Sequence, residues 1–470
     1  MNHDSTICAI STAPGNGAIA IIRLTGKEAL SIADKLFVSR GKEKKLIDQE
    51  ANTIHFGNLK DGDEIIDEVL VSLFRNPYSY TGEDLIEVAC HGSEYIQEKV
   101  LQLFTRHGAR MAGPGEFTMR AFLNGKMDLS QAEAVADLIA SDSKASHRIA
   151  MDQMKGGFSR EIAGLREKLL NFISLIELEL DFSEEDVEFA DRAELSLLIA
   201  EIRKLIRSLV DSFKTGNVIK NGIPVAIAGK TNVGKSTLLN VLLNEDRAIV
   251  SDIAGTTRDT IEDVITIDGF RFRFIDTAGL RKTKDSIETI GIEKTFEKID
   301  QAFVILYMID VTESLDEINR LIAKIKKRIG SEDKKLVVLL NKVDFLSDSE
   351  LKRRQSIENY SHLSKKDTLL LISAKKRINT DQISTVLAST IRKRSSDDHN
   401  VIITNVRHYE ALSKAGDAID RVVIGLETAL PSDLMAIDIR EVLHYLGEIT
   451  GQVTTDEVLG NIFKNFCIGK

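Results

Sequence analysis

Residues 229 to 236 read G-K-T-N-V-G-K-S, a glycine-rich octapeptide with GxxxxGK(S/T) spacing, between the apolar run V-A-I-A and the stretch S-T-L-L-N-V-L-L. Such a loop serves phosphate chemistry. Its glycines let backbone N–H groups wrap an anion, Lys235 brings a point charge to the terminal phosphates, and the Ser236 hydroxyl suits a magnesium ion. The expected phosphate contacts are Gly229, Asn232, Val233, Gly234, Lys235, Ser236 and Thr237. A chance glycine turn is the bland alternative, and a strand before with a helix after makes it the weaker one.

The base is read elsewhere. N-K-V-D at 341 to 344 follows a second apolar strand, and the Asp344 carboxylate can accept from both N1–H and the amino group of guanine, where adenine offers no matching pair. Asn341 and Lys342 would brace and cover the ring, and S-A-K (Ser373, Ala374, Lys375) would meet the guanine oxygen through backbone N–H. D-T-A-G (Asp276, Thr277, Ala278, Gly279) closes the run R-F-R-F-I, so that Asp276 would hold magnesium through water and Gly279 would sense the γ-phosphate. In G-T-T-R-D at 255 to 259, Thr257 is the expected second magnesium ligand.

Hydrolysis is less ordinary. Leu280 follows D-T-A-G where Ras-like proteins carry a water-orienting glutamine, so another group must align the water. Transition-state charge can be met by Arg258, by Arg281 or by a bound cation, and the Asn232 side-chain oxygen suits potassium.

These loops need elements to carry them. At 470 residues the chain has room for about three domains. Residues 1–120 alternate short strands and turns around one helical stretch near 93–107, which predicts an α+β domain. Residues 121–220 take helical spacing. Residues 221–380 alternate buried-strand runs with amphipathic helices, the signature of a parallel sheet and of a Ras-like G domain, and helical spacing returns over 381–470. The expected fold is therefore multidomain: an α+β N-terminal domain, an α-helical central domain, and an inserted α/β P-loop G domain that splits the helical one.

Composition narrows the classes. The hydrophobic fraction of 43% and charged fraction of 29% fit a soluble globular protein, no apolar run reaches a spanning length, and the first residues resemble no signal peptide. A cytoplasmic location with no membrane association is expected. Three cysteines, Cys8, Cys90 and Cys467, fit a reducing compartment without disulfides. The net charge of -10 argues against coating nucleic acid by bulk charge. Local basic strips remain at Lys324, Lys326, Lys327 and Arg328 and at Arg392, Lys393 and Arg394; a solvated helix face is their commoner meaning.

Beyond the nucleotide motifs, P-G-N-G-A at 14 to 18, Y-T-G-E-D at 80 to 84, G-E-F-T-M-R-A-F-L-N-G-K at 115 to 126 and the terminal F-C-I-G-K at 466 to 470 have no place in a general nucleotide fold. Together they make the chain resemble, from end to end, the MnmE (TrmE) family of tRNA modification GTPases. The resemblance implies a homodimer through N-terminal domains that bind 5-formyltetrahydrofolate or a related tetrahydrofolate, and G domains that pair on potassium. It implies an FAD-dependent MnmG partner, with which such proteins place an aminomethyl or carboxymethylaminomethyl group on carbon 5 of the wobble uridine of tRNA. Carried over by position, Arg23, Glu87, Lys126 and Lys470 look like folate contacts, and Ser251, Asp252, Ile253, Ala254, Gly255 and Thr256 like GTP contacts. Asn232, Ser251, Ile253 and Thr256 would hold potassium, and Glu288 would orient the water. Read by themselves, Arg23 and Glu87 are ordinary strand charges, Lys126 a turn lysine, and Glu288 one acid in a charged segment.

The P-loop departs from the family with Lys230 and Thr231 where arginine and proline are frequent, and Ser251 stands where threonine is common. Cys467 is no prenylation box, since Gly469 and Lys470 follow it. It is either an apolar filler or a thiol that serves the modification chemistry at the folate site. The rival functions are a ribosome-assembly GTPase, which gives no reason for the N-terminal domain or the C-I-G-K tail, and a signalling switch whose host domain binds a protein.

Overall fold

The computed structural model describes residues 4–40, 44–181, 192–245, 263–275, 299–330, 334–395, 402–428, 430–464 and 466–469. It divides into two units, one of Met1–Ala140, Ala150–Lys204 and Glu410–Lys470, the other of Ser141–Ile149 and Leu205–Tyr409.

The first unit opens with strands β1 (Ile7–Ile10), β2 (Ile19–Thr25), β3 (Phe37–Ser39), β4 (Thr53–Asp61), β5 (Glu64–Phe74), β6 (Leu85–His91) and β7 (Arg110–Met111). They form one sheet in the order β3-β4-β5-β6-β2-β1-β7, antiparallel except for β1 with β7. Strand alternation decides which face is covered. Val69, Val71 and Leu73 of β5, with Ile86 and Val88 of β6, point to the side closed by helices α1 (Ala29–Leu36) and α2 (Glu94–Arg106). Their alternates point away from it.

Five further helices follow in chain order: α3 (Glu116–Leu123), α4 (Leu129–Ala140), α5 (Lys144–Met154), α6 (Gly157–Asp181) and α7 (Arg192–Asn221). The G sheet then brings β8 (Ile223–Gly229), α8 (Lys235–Glu245), β9 (Asp263–Ile267), β10 (Phe270–Phe274), β11 (Val304–Asp310), α9 (Leu315–Ile329), β12 (Lys335–Asn341), α10 (Asp348–Gln355), β13 (Thr368–Leu371) and α11 (Asp381–Ser395). Helices α12 (Val406–Glu427), α13 (Ser432–Thr450) and α14 (Asp456–Phe463) complete the chain. Helix α13 packs on α6, and the Arg440 guanidinium pairs with Glu177. Leu459 and Phe463 of α14 share a core with Met119 of α3 and with Leu129 and Ala132 of α4. Helices from both sides of the inserted segment thus form one body.

The sheet of the second unit runs β13-β12-β11-β8-β10-β9, parallel except for β9. Strand β11 explains its layering: Val304, Leu306 and Met308 enter one core while Ile305, Tyr307 and Ile309 enter the other, so V-I-L-Y-M-I-D is apolar throughout. Ile318, Leu321, Ile322 and Ile325 of α9 fill the second core.

Two boundaries differ from those read off the sequence. Residue 120 lies inside α3, so no domain ends there. Residue 380 is no boundary either, because Ile383, Leu387, Ala388 and Ile391 of α11 lie in the core with Val337 and Leu339 of β12. Helical spacing reports which face of α11 is apolar and is silent on which core that face joins.

Candidate functional site

The parallel strands β8, β11 and β12 end together at Gly229, Asp310 and Asn341, the carboxyl edge where open α/β sheets bind ligands. Between β8 and α8 the phosphate loop turns back through left-handed backbone at Asn232 (φ 59°) and Gly234 (φ 100°). A side chain on Gly234 would meet the Asn341 amide at 2.4 Å, so a glycine is required. Lys235 Nζ donates to the carbonyls of Gly229 (2.9 Å) and Lys230 (2.7 Å), which puts its charge across the loop. Lys230 leans outward to Glu313 (3.1 Å) and Glu317 (2.9 Å), and these partners raise its pKa. Ser236 lies in the first turn of α8, half-buried, and Thr237 beside it is exposed.

Asn341 is the joint between motifs. Only 3% exposed, it donates from Nδ2 to the Val233 carbonyl at 2.7 Å, and its Oδ1 accepts from the Ala374 amide at 2.9 Å. One side chain thus ties the P-loop, N-K-V-D and S-A-K together. The main-chain amides of S-A-K are more committed than the sequence suggested, since Ser373 N donates to the Ile378 carbonyl at 3.1 Å and Ala374 N goes to Asn341. Asp344 lies exposed in a short 3-10 turn, Val343–Phe345, as a group that reads a ligand edge must. Lys375 is exposed as well. Asp310, which no motif marked, accepts from Lys342 Nζ at 2.6 Å.

Ser251, Asp252, Ile253, Ala254, Gly255, Thr256, Thr257, Asp276, Thr277, Ala278, Gly279, Glu288 and Lys470 lie outside the described residues, as do Arg258, Leu280 and Arg281. Among the described residues no group of three His, Cys, Asp or Glu could hold a metal. In the first basic strip Lys326 pairs with Asp367 at 2.8 Å and Arg328 with Asp300, while Lys324 and Lys327 are exposed. Arg392 pairs with Asp268.

The other expected residues gather in the first unit, on the sheet face that α1 and α2 leave uncovered. Arg23 of β2 and Glu87 of β6 are cross-strand partners, and Arg23 Nε donates to Glu87 Oε1 at 2.8 Å. The guanidinium lies 5.7 Å from the centre of the Tyr80 ring, and its NH1 donates to the Gly469 carbonyl at 3.4 Å. The terminal tail therefore returns to the N-terminal sheet. Gly115 N donates to the Cys467 carbonyl, Pro114 pairs with Ile468, and Ser11 Oγ donates to the Gly469 carbonyl at 3.0 Å. Gly469 holds φ 94°, and a side chain there would meet the Ile10 carbonyl at 2.1 Å. Lys126 is exposed, with Nζ on the Pro77 carbonyl at 2.9 Å in the segment leading to Tyr80.

On the same side of the sheet, at Thr25, lies a largely buried ionic network that explains two motifs. Arg120 donates to Glu83 at 3.0 Å, to Glu116 at 3.1 Å and to the Ser5 carbonyl at 2.7 Å, while Arg110 donates to Glu116 at 2.8 Å. Glu83 belongs to Y-T-G-E-D, Glu116 and Arg120 to G-E-F-T-M-R, and Tyr80 Oη meets Thr118 Oγ1 at 2.8 Å. Burial pushes the Cys8 thiol up to about 12 and the Cys90 thiol to about 11, so neither offers a thiolate. Cys467 is exposed.

Two family models cover the chain: one described as the GTP-binding protein TrmE N-terminus matches residues 6–126, and one described as the MnmE helical domain matches residues 129–467. The protein named tRNA modification GTPase MnmE in Flavobacterium johnsoniae is 58% identical over 474 residues, spanning 100% of both chains. Its namesake in Bacteroides fragilis is 56% identical over 470 residues, again 100% of both, and that of Cytophaga hutchinsonii is 49% identical over 100% of this chain and 98% of its own. With two family models covering residues 6–126 and 129–467 and relatives matched from end to end around a P-loop that Asn341 braces, the chain belongs to the MnmE (TrmE) family of tRNA modification GTPases.

Proposed function

We propose that this GTPase works as a potassium-assisted, folate-binding partner of an FAD-dependent MnmG subunit, forming the 5-carboxymethylaminomethyl or aminomethyl group on the wobble uridine of tRNA in the cytoplasm. The observation that carries the reading is the return of Cys467–Gly469 to the sheet at Ser11 and Arg23. A plain nucleotide switch has no use for a Cys467–Gly469 segment built into its N-terminal sheet. An aromatic ring, a carboxylate, a guanidinium and a lysine nearby suit a pterin: Glu87 and Arg23 for its hydrogen-bonding edge, Lys126 and the terminal Lys470 for its glutamate carboxylates.

Each side chain has a task in the G unit. Lys235 meets the terminal phosphates, Asn341 keeps the loop in register, Asp344 selects guanine, and Glu288 orients the attacking water in place of Leu280. Ser236 and Thr257 would hold magnesium, and Asn232, Ser251, Ile253 and Thr256 would hold potassium. Asn232 is exposed in the loop, where its side-chain oxygen can reach an ion. Bound there, the two cations would supply positive charge where negative charge builds at the β–γ bridge.

Pairing of two copies is supported by the uncovered sheet face. Ile19 (67% exposed), Ile54 (68%), Phe56 (45%) and Leu70 (47%) stand on the same side as Arg23 and Glu87, with Phe56 opposite Leu70 and Leu70 opposite Ala89. An apolar stripe of this kind marks an interaction surface. Among the described residues no helix is long and apolar enough to cross a membrane. Mass spectrometry of tRNA nucleosides from a deletion strain tests the whole reading. Loss of the modified wobble uridine, restored by this chain, is expected; an unchanged nucleoside profile would discard it in favour of a ribosome-assembly or signalling role.

A further inference from the structure

We propose that Asp310 is a positioning residue for guanine recognition, holding the Lys342 side chain in the place from which it covers the base. The inference rests on the guanine-nucleotide reading above. Lysine has a flexible four-carbon stem, and a free one would have to be ordered each time a nucleotide bound. Here Nζ is fixed to Asp310 Oδ2 at 2.6 Å, which restrains the methylene stem of the residue that caps the turn carrying Asp344. The carboxylate is itself immobilised. Its Oδ1 accepts from Thr312 N at 3.0 Å and from Thr312 Oγ1 at 2.8 Å, so both oxygens are used. Main-chain geometry sets the reach: Asp310 ends β11 directly opposite Asn341 of β12, Val311 N donates to the Asn341 carbonyl at 2.9 Å, and Lys342 takes φ 72°. Burial would raise the Asp310 carboxyl, but the Lys342 and Thr312 hydrogen bonds outweigh it and hold the group below the ordinary carboxylate range.

A double-mutant cycle on the full-length protein, read by binding and dissociation of a fluorescent GDP analogue, tests this. Asp310→Asn should weaken binding about tenfold, mainly through faster dissociation, and Lys342→Met by a similar factor. Because Asp310 acts through the lysine, the double variant should bind no worse than Lys342→Met alone, whereas a purely structural role would make the two losses multiply. Multiplying losses, or an Asp310→Asn protein that binds as tightly as the parent, would overturn the proposal. Should Asp310→Asn fail to fold by circular dichroism, Thr312→Val carries the same cycle: about a threefold loss in the parent and none in Lys342→Met. A parent chain that bound no GDP at all would overturn the nucleotide reading itself, and this inference with it.

Discussion

Asn341 donates its side-chain amide to the main-chain carbonyl of Val233 at 2.7 Å, so the residue that introduces the guanine motif also fixes the curvature of the phosphate loop. Asn341→Asp keeps the shape and sets an acceptor against that carbonyl. The buried loss and the repulsion together should lower GDP affinity by about 2–3 kcal/mol and lower the melting temperature as well. Calorimetric titration beside a thermal melt checks it; a parent-like affinity would mean that the loop keeps its shape unaided.

Asp344 is exposed and free of any such structural duty, so its replacement should change specificity with little effect on stability. Asp344→Asn exchanges a pair of acceptors for one donor and one acceptor. Affinity for GTP should fall by about 2–4 kcal/mol while xanthosine triphosphate gains. Competition binding between the two nucleotides decides, and an undiminished preference for GTP counts against the assignment.

The network around Glu116 predicts a pH dependence with a definite sign. Burial would raise this carboxyl, but hydrogen bonds from Arg110, the Gly113 amide and Arg120 outweigh it and hold the pKa below its ordinary 4.5. A depressed native pKa contributes stability that is present above the unfolded value and lost as pH falls through the folded one. Melting temperature should therefore drop below about pH 4.5, and Arg120→Met, which leaves a buried carboxylate short of a partner, should cost about 3–5 kcal/mol. Scanning calorimetry of parent and variant across this range gives the answer; an Arg120→Met protein as stable as the parent would show that the network holds nothing.

The G motifs were legible because backbone chemistry dictates them: an anion-wrapping loop must carry Gly234, and a guanine reader must carry an acceptor pair. Asp310 could not be read in the same way. It closes the buried strand V-I-L-Y-M-I-D, and only the register of β11 against β12 brings it to Lys342. Arg23 with Glu87 is similar, two strand charges until β2 pairs with β6, and the return of Gly469 to Ser11 spans nearly the whole chain. The family resemblance pointed to Arg23, Glu87 and Lys126 but gave no reason for Glu83, Glu116 and Arg120, whose ion pairs join the Y-T-G-E-D segment to α3. The apolar period of α11 shows a helix but not that Ile383, Leu387 and Ile391 join the core of the parallel sheet, since a period of 3.6 residues identifies a face and not its partner.

Folate binding should depend on Arg23 more through geometry than through net charge, because Glu87 already answers its guanidinium. Arg23→Ala should weaken binding of a tetrahydrofolate by about 1.5–3 kcal/mol and leave GTP affinity unchanged, the two residue sets lying in different units. Calorimetry with each ligand separates the possibilities: affinities that fall together point to a folding defect.

The cation route makes the sharpest demand. With Leu280 where a glutamine is usual, neither water alignment nor charge neutralisation can come from that position, and the proposed holder of a monovalent ion is Asn232 in the phosphate loop. Exchange of potassium for sodium should slow GTP turnover by about tenfold or more, because the smaller ion cannot span the same oxygen ligands at good distances. GDP binding should hardly change, since the ion matters most when negative charge builds at the β–γ bridge. Asn232→Ala should lose the response to potassium. Glu288→Ala should lose hydrolysis and keep potassium-dependent pairing of G domains, because it acts on water and not on the ion. Steady-state phosphate release and GDP titration in the two salts, with sedimentation of the variants in a GTP transition-state mimic, measure all four. Equal rates in sodium and potassium would remove the ion from the mechanism and bring Arg258 or Arg281 forward as the group that neutralises the transition state.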